Sequence, residues 1–162
     1  MELRLSYSLA HNTTNQPSGF QTAILMPSLV IPTTHRMGPP WLRGRVEWNP
    51  ELFLGLFTYP YIRPILGVSP VQFRYILNPI HQWSPYLMGG VGAVIANVER
   101  PETGSDYNVL ISLAAGTQYT LTDKTSLILE YRHTHISNGG THPHNSGIDS
   151  DSVVAGVSLK WG

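Results

Sequence analysis

The reactive side chains of this chain are densest in one segment near its C-terminal end. The cluster comprises His133, His135, Ser137, Asn138, His142, His144, Asn145 and Asp149. His135 and Ser137 stand two residues apart, so in a β-strand they share a face with Cβ atoms roughly 6 to 7 Å apart. An imidazole at this spacing can reach a hydroxyl and act as its general base. The segment therefore has the components of a serine hydrolase site, although His-x-Ser alone is a weak motif.

Strand periodicity predicts which of these groups share a surface. In the segment 126–137 one face is formed by odd-numbered residues: Leu127, Leu129, Tyr131, His133, His135 and Ser137. The apolar face of the segment 152–161 includes Val153, and its backward extension reaches Asp149. We therefore expect His135, Ser137 and Asp149 on one wall. A carboxylate on the neighbouring strand can accept a hydrogen bond from the imidazole and fix its tautomer.

The same segment contains candidate oxyanion donors and an alternative chemistry. Asn138, Asn145 and the backbone amides of the Gly139-Gly140 turn are suitable donors for a developing oxyanion. Metal binding is the alternative, because pairs of histidines two residues apart can bind zinc or copper. That pattern lacks a clear carboxylate-plus-water arrangement, so we predict no metal and no cofactor. The two pairs are His133 with His135 and His142 with His144.

Composition limits the fold and the partners. The 162 residues fit one domain. Charged residues make up 12%, against roughly 25% in ordinary soluble domains, while the mean hydropathy is only −0.08. This combination indicates alternating strands, and no apolar run approaches the roughly 20 residues of a spanning helix. The zero net charge and the lack of a basic stripe exclude a nucleic-acid partner, and the lack of cysteine excludes disulfides and a thiolate nucleophile.

Eight segments have strand-like patterns, and one of them is weakened by Pro27. An even number of antiparallel strands is typical of a closed membrane barrel, because lipid cannot satisfy open backbone edges. We therefore predict a single domain over residues 1–162, an eight-stranded antiparallel transmembrane β-barrel. The start at Met1 lacks the blocks of a signal peptide, so we expect a mature chain. The segments are 2–9, 20–31, 41–48, 67–75, 86–95, 108–121, 126–137 and 152–161.

A soluble barrel of lipocalin type is the alternative fold, and it would pack Leu127 and Leu129 inside. The low charge content favours the membrane, as do aromatic residues near strand ends, which are typical of interfacial girdles. In a membrane barrel the charged residues of the third and fourth segments should be buried together. The aromatic residues are Trp41, Trp48, Trp83, Tyr86 and Trp161, and the charged set is Arg43, Arg45, Glu47 and Arg74.

The run His135-Ile-Ser-Asn-Gly-Gly-Thr-His-Pro-His-Asn-Ser-Gly-Ile-Asp149 resembles the signature of the lipid A 3-O-deacylase (PagL) family, also called acyloxyacyl hydrolases. That signature is His-x-Ser-Asn-Ala-Gly, a short loop, and Asn-x-Gly-Ile/Leu followed by an acid. The match needs no gap and is supported by segments 67–75 and 85–92 and by Trp161. The resemblance covers about the C-terminal two-thirds, whereas the first sixty residues agree only in strand pattern.

The resemblance implies a role for each matched residue. His135 would be the base, Ser137 the nucleophile and Asp149 the acid that orients His135. The sequence departs from the family at Asp149, where the best-known member has Glu, and at Gly139, where Ala is usual. The remaining roles concern the turn: Asn145 and the backbone N–H of Gly140 would form the oxyanion hole with support from Asn138. His133, His142 and His144 have no role in the family pattern, and we expect them to contact the rim or lipid headgroups.

The implied function is that of an outer-membrane serine esterase. It would hydrolyse the ester of the 3-O-acyl chain of lipid A in the outer leaflet, with lipopolysaccharide and membrane lipids as partners and no cofactor. The acyl chain would lie along Leu127, Leu129 and Val153. The alternative function is that of a non-catalytic small outer-membrane barrel, an adhesin or structural element. The oligomeric state stays open, with a homodimer as one alternative.

Overall fold

The computed structural model describes residues 2–12 by their backbone, and residues 21–59, 61–96 and 103–161 in full. These residues form strands and one short 3-10 helix, Pro40–Leu42. The predicted loop 12–19 and Phe20 lie almost entirely outside the described residues. The strands are β1 (Glu2–Asn12), β2 (Gln21–Pro32), β3 (Gly44–Trp48), β4 (Glu51–Tyr59), β5 (Arg63–Leu77), β6 (Trp83–Ala96), β7 (Tyr107–Thr120), β8 (Thr125–Ser137) and β9 (Ile148–Lys160).

The sheet closes on itself. Every strand pairs antiparallel with its neighbours, and β1 joins both β2 and β9. Both β3 and β4 pair with β2 on one side and β5 on the other, so these two strands occupy one position in the ring. The ring therefore has eight positions, which confirms the predicted eight-stranded antiparallel barrel. Within the described residues no helix has the length and apolar character of a membrane span.

The third barrel position differs from the sequence prediction at both ends. Its strand begins at Gly44 instead of Trp41, because Pro39 and Pro40 lead into the 3-10 helix. It also continues beyond the break at Pro50 into β4, which the sequence analysis missed. A proline cannot donate a hydrogen bond to a sheet, so Pro50 interrupts the ladder without ending the barrel wall.

The outer wall of the barrel is apolar. On β8, Leu127 is 43% exposed and Leu129 is 56% exposed, whereas Ile128 and Glu130 are buried. A soluble barrel would place the two leucines inside, so the lipocalin-type alternative is wrong. The same alternation holds on the other fully described long strands, where exposed residues include Leu52, Leu54, Leu56, Leu66, Leu87, Val91, Ile111, Leu113, Val153 and Val157.

The barrel interior contains buried ion pairs alongside two clusters of apolar side chains. Arg132 binds Glu51 of β4 across the interior, and its Nε donates to Oε1 of Glu130 at 2.8 Å. Glu130 also accepts a hydrogen bond from the hydroxyl of Tyr86 at 2.7 Å. Arginine carries several donors in a fixed plane, so one guanidinium can hold two carboxylates. These pairs connect β8 to β4 and β6.

A second ion cluster contains most of the charged set predicted to lie inside. Nε of Arg74 donates to Oε2 of Glu47 at 2.6 Å, and both side chains are fully buried. Arg45 binds the other oxygen of Glu47 at 2.6 Å, with 31% of its side chain exposed. The prediction for Arg43 is wrong, because Arg43 caps the 3-10 helix and is exposed. The strand starts only after it, so the alternation does not apply to Arg43.

The predicted aromatic girdle is correct for three of its five residues. Trp41, Trp83 and Trp161 are exposed at the barrel end that carries the β2–β3, β5–β6 and β7–β8 connections. Tyr86 instead points inward to Glu130. Trp48 lies at the interruption of the third position, where its indole donates to the carbonyl of Pro70 at 2.7 Å.

Replacing Arg132 by Met should lower the free energy of unfolding by about 3 to 5 kcal/mol, because Glu51 and Glu130 stay buried after losing their shared cation. The matched control is Arg45→Met, which leaves Glu47 bound to Arg74 and should cost less than about 1 kcal/mol. Urea unfolding in detergent micelles, followed by tryptophan fluorescence, measures both. Equal losses in the two variants would contradict the role assigned to the Arg132 cluster.

Candidate active site

His135 and Asp149 are brought together by the register of the last two strands. They are direct cross-strand partners in the β8–β9 ladder, and Nδ1 of His135 lies 2.6 Å from Oδ1 of Asp149. A carboxylate only accepts, so this bond places a hydrogen on Nδ1. The ring nitrogen Nε2 is then the one available to a hydroxyl. Both side chains are about one-third exposed, at 37% and 31%, on the apolar outer wall.

Ser137 is the last residue of β8 and lies on the same face as His135. Its cross-strand partner is Val109 of β7. Among the described residues, no hydrogen bond joins the Ser137 hydroxyl to His135. The two groups are thus on one wall at the rim of the barrel, with the bond between histidine and acid formed and the bond between histidine and serine not formed.

Asn138 organises the loop that follows β8. Its side chain is 2% exposed. Its Oδ1 accepts the backbone N–H of Gly140 at 2.8 Å, and its own backbone N–H donates to Oδ1 of Asn145 at 2.9 Å. The loop is therefore fixed internally and tied to the β6–β7 connection. The tie is made by Nδ2 of Asn138, which donates to the carbonyls of Thr103 at 2.6 Å, His142 at 3.1 Å and His144 at 2.8 Å.

The three predicted oxyanion donors differ in whether their N–H groups are already used in hydrogen bonds within the loop. The N–H of Gly140 is already engaged by Asn138. Asn145 is exposed and uses its Oδ1 as an acceptor in the loop, so its Nδ2 group is the one left to donate. Asn138 is buried and serves the loop alone. Of the three, Asn145 has the amide group best able to donate to a reacting ester.

Gly147 packs against the imidazole of His135. It has φ of +77°, a left-handed conformation that side chains other than glycine rarely adopt. A Cβ atom built there would lie 2.8 Å from Cε1 of His135 and 3.4 Å from Nε2. Glycine is therefore required both by the backbone and by the ring. Gly147 lies within the motif from His135 to Asp149, but the sequence pattern alone predicted no role for it.

The other three histidines of the C-terminal cluster form two further groups. His133 lies on the outer wall with Nδ1 2.9 Å from Oδ1 of Asp151, and the rings of His142 and His144 lie 5.5 Å apart in the loop. In the part of the chain that the structure describes, no three His, Cys, Asp or Glu side chains are arranged to hold a metal ion. The pairing of His133 with Asp151 was missed, although strand parity already placed both residues on one face.

Together these features define a small outer-membrane β-barrel with a Ser, His and Asp group on its lipid-facing rim. Solved structures that share the fold include the outer membrane enzyme PagL, with a TM-score of 0.68 and 19% identity over 96% of this chain and 99% of that one. Neisserial surface protein A (NspA) matches with a TM-score of 0.60 and 14% identity, over 99% of this chain and 96% of that one. The N-terminal barrel of Pseudomonas aeruginosa OprF matches with a TM-score of 0.57 and 12% identity, over 98% of this chain and 97% of that one. No curated protein matches the chain significantly.

The chain belongs to the lipid A 3-O-deacylase (PagL) family, because the model of that family matches residues 28–158. The match extends further toward the N-terminus than the resemblance seen in the sequence, since it includes the end of β2 and all of β3 and β4. Both the predicted family and the predicted location in the outer membrane are confirmed.

Gly147→Ala should lower lipid A deacylation by about 100-fold, because its methyl group would displace the His135 ring and small displacements of reacting groups are costly. The matched control is Gly139→Ala, which also has a positive φ of +64° but whose methyl group would meet only Val109 at an ordinary 3.4 Å. Mass spectrometry of lipid A measures the product, and gel mobility measures the folded barrel. Similar losses in both variants would contradict the contact with His135.

Proposed function

We propose that the chain is a serine esterase that uses Ser137, His135 and Asp149 to hydrolyse the 3-O-acyl ester of lipid A. The lipid A 3-O-deacylase activity follows from family membership. The assignment of residues is supported above all by the 2.6 Å bond between His135 and Asp149 on the lipid-facing wall. Uncompensated polar groups facing lipid are costly, so a histidine and a carboxylate there favour a functional role.

The reaction divides into acylation and hydrolysis. Nε2 of His135 takes the proton from the Ser137 hydroxyl while Oγ attacks the ester carbonyl, and Asp149 stabilises the imidazolium that forms. The tetrahedral intermediate then expels the sugar oxygen, which receives the proton from His135. Water, deprotonated by the same nitrogen, attacks the acyl-enzyme and releases the free fatty acid. Ser137 recovers its proton at the end of the cycle.

The first step needs a bond between Ser137 and His135 that the free enzyme does not form. Catalytic hydrogen bonds are often long or misaligned without substrate and tighten in the complex. Ser137 is the last residue of β8, and its hydroxyl can turn about a single torsion, χ1. We infer that ester binding at the rim selects the rotamer that joins the two groups.

Asn145 is our assignment for the principal oxyanion donor. Its Oδ1 accepts the N–H of Asn138, which fixes the orientation of the amide and leaves Nδ2 to donate. The N–H of Gly140 already donates to Oδ1 of Asn138. It can donate to the oxyanion only if that bond breaks or if the hydrogen is shared between the two acceptors. Asn138 then acts as the support of the turn, in line with its burial.

The location of the site fits a substrate that belongs to the membrane. Below the catalytic rim, the exposed residues of β8 and β9 as far as Leu159 are apolar or aromatic, including Leu127, Leu129 and Val153. An acyl chain can lie along this wall while the sugar stays at the level of the polar loop. The ester between chain and sugar is then held at the height of Ser137. No bulk-water channel through the barrel is needed for the substrate.

A non-catalytic outer-membrane barrel is the second candidate, and the unformed bond between Ser137 and His135 favours it. The two candidates differ in what Ser137 does. Under the first, its hydroxyl is indispensable for release of the acyl chain. Under the second, the protein releases no acyl chain, so replacing Ser137 leaves the acylation of lipid A unchanged.

Ser137→Ala and His135→Ala should lower acyl release by four to six orders of magnitude, roughly the loss seen when a member of such a triad is removed. The matched control is Ser150→Ala, since Ser150 neighbours Asp149 in β9 but lines the barrel interior. Release of the 3-linked fatty acid from lipopolysaccharide is measured by mass spectrometry, with the folded fraction from gel mobility. Undiminished release by Ser137→Ala would contradict the role of Ser137 as nucleophile, whereas no release by the unsubstituted chain would favour the second candidate.

Asn145→Asp isolates the oxyanion role, because Asp keeps the oxygen that accepts from Asn138 and removes the Nδ2 donor. We expect kcat to fall by about 100- to 1,000-fold, with the barrel as stable as before. Steady-state kinetics in mixed micelles of detergent and lipid A give kcat and KM separately. A change confined to KM would instead indicate that Asn145 binds the headgroup.

A further inference from the structure

A second histidine–carboxylate pair lies one step further along the same two strands. His133 of β8 is the cross-strand partner of Asp151 of β9, and its Nδ1 lies 2.9 Å from Oδ1 of Asp151. Its other ring nitrogen, Nε2, lies 3.9 Å from Oδ1 of Asp149. That oxygen is the same one that binds His135. His135 thus forms a hydrogen bond with this oxygen, and the ring of His133 lies beside it, beyond hydrogen-bond distance.

Asp149 needs such lateral support because of its place in the fold. It is the second residue of β9 and follows Gly147 by only two positions, so it sits where the strand begins. Its side chain lies on the outer wall of a barrel that is one sheet thick, and 31% of it is exposed. Neighbours on the same wall therefore help to restrict its rotation. A carboxylate that turned away from His135 would lose control of the tautomer.

Asp151 is a potential competitor on the same wall. It lies two residues beyond Asp149 on the same face, roughly 6 to 7 Å away along the strand. Its carboxylate would repel that of Asp149 and compete for the same imidazoles. In the structure it is engaged by His133. The ring of His133 thus lies between the two carboxylates.

We propose that His133, held by Asp151, is a positioning residue for the acid of the active site. It keeps Oδ1 of Asp149 directed at His135 and keeps Asp151 away from both. This inference rests on the proposed function, because its effect on the reaction passes through Asp149 and His135. His133 itself takes no proton from the serine and donates none to the ester.

Three substitutions of His133 test the proposal in the full chain, in mixed micelles with lipid A. The amide nitrogen of Gln falls near the position of Nε2 and that of Asn near Nδ1, whereas Phe keeps only the ring shape. We expect Phe and Asn to lower kcat by about 10- to 100-fold, the range for groups that orient a catalytic residue, with KM unchanged. Gln should retain most of the activity. Unchanged kcat in His133→Phe, or a loss only in KM, would overturn the proposal.

A double-mutant cycle separates positioning from a general effect on folding. The rate at which a fluorophosphonate labels Ser137 is measured per folded barrel, with and without His133→Phe, in the natural and Asp149→Asn backgrounds. If His133 acts through Asp149, its effect disappears when Asp149 is replaced. Equal effects in both backgrounds would overturn the proposal.

Ser137→Ala in the same assays distinguishes this inference from the function on which it depends. Acyl release that survives Ser137→Ala would remove the proposed function and this inference with it. Release that is lost in Ser137→Ala but unaffected by His133→Phe would overturn the positioning role alone.

Discussion

The site depends on the register between β8 and β9. Cross-strand partners in an antiparallel pair lie on one face and within reach of each other, so the pairing of residue 135 with residue 149 is what brings the imidazole to the carboxylate. A slip of one residue would turn Asp149 into the barrel interior. Three features fix this register: the closed ring of strands, the alternation of apolar and polar faces, and the turn that Asn138 organises. The chemistry therefore needs the whole barrel, although its residues come from one hairpin.

The ion pairs in the barrel interior help to fix the register of β8 from the inner face of the sheet. Glu130 and Arg132 alternate along β8 with the outward histidines, and Arg132 reaches Glu51 on the far wall. A charged group buried in this way strongly disfavours any register that separates it from its partner. β8 is thus held by ion pairs inside and by hydrogen bonds to Asp149 and Asp151 outside. Its two faces specify one alignment.

The sequence predicted those features that follow from the alternation of side chains between the two faces of a β-strand. Alternation along β8 was enough to place His135 and Ser137 on the outer wall and to expect eight strands. It failed where backbone geometry departs from alternation, as at the proline break that hides β4 and at Arg43, which lies before the strand begins. Tyr86 was assigned to the interface from residue type, but its inward direction depends on the buried carboxylate of Glu130. Distances between strands are set by closure of the ring, which no local pattern contains.

A catalytic group on the outside of a single sheet cannot be fixed by packing from above, because only lipid lies there. In a globular enzyme a second layer of side chains restricts the acid and the base. Here that restriction must come from within the wall and from the loop at its rim. Gly147 fits against one side of the His135 ring, Asp149 holds Nδ1, and the next histidine and carboxylate stand beside Asp149. A chain with this design can keep its site ordered while the face toward the membrane stays open, and an open face is what a substrate that arrives by lateral diffusion requires.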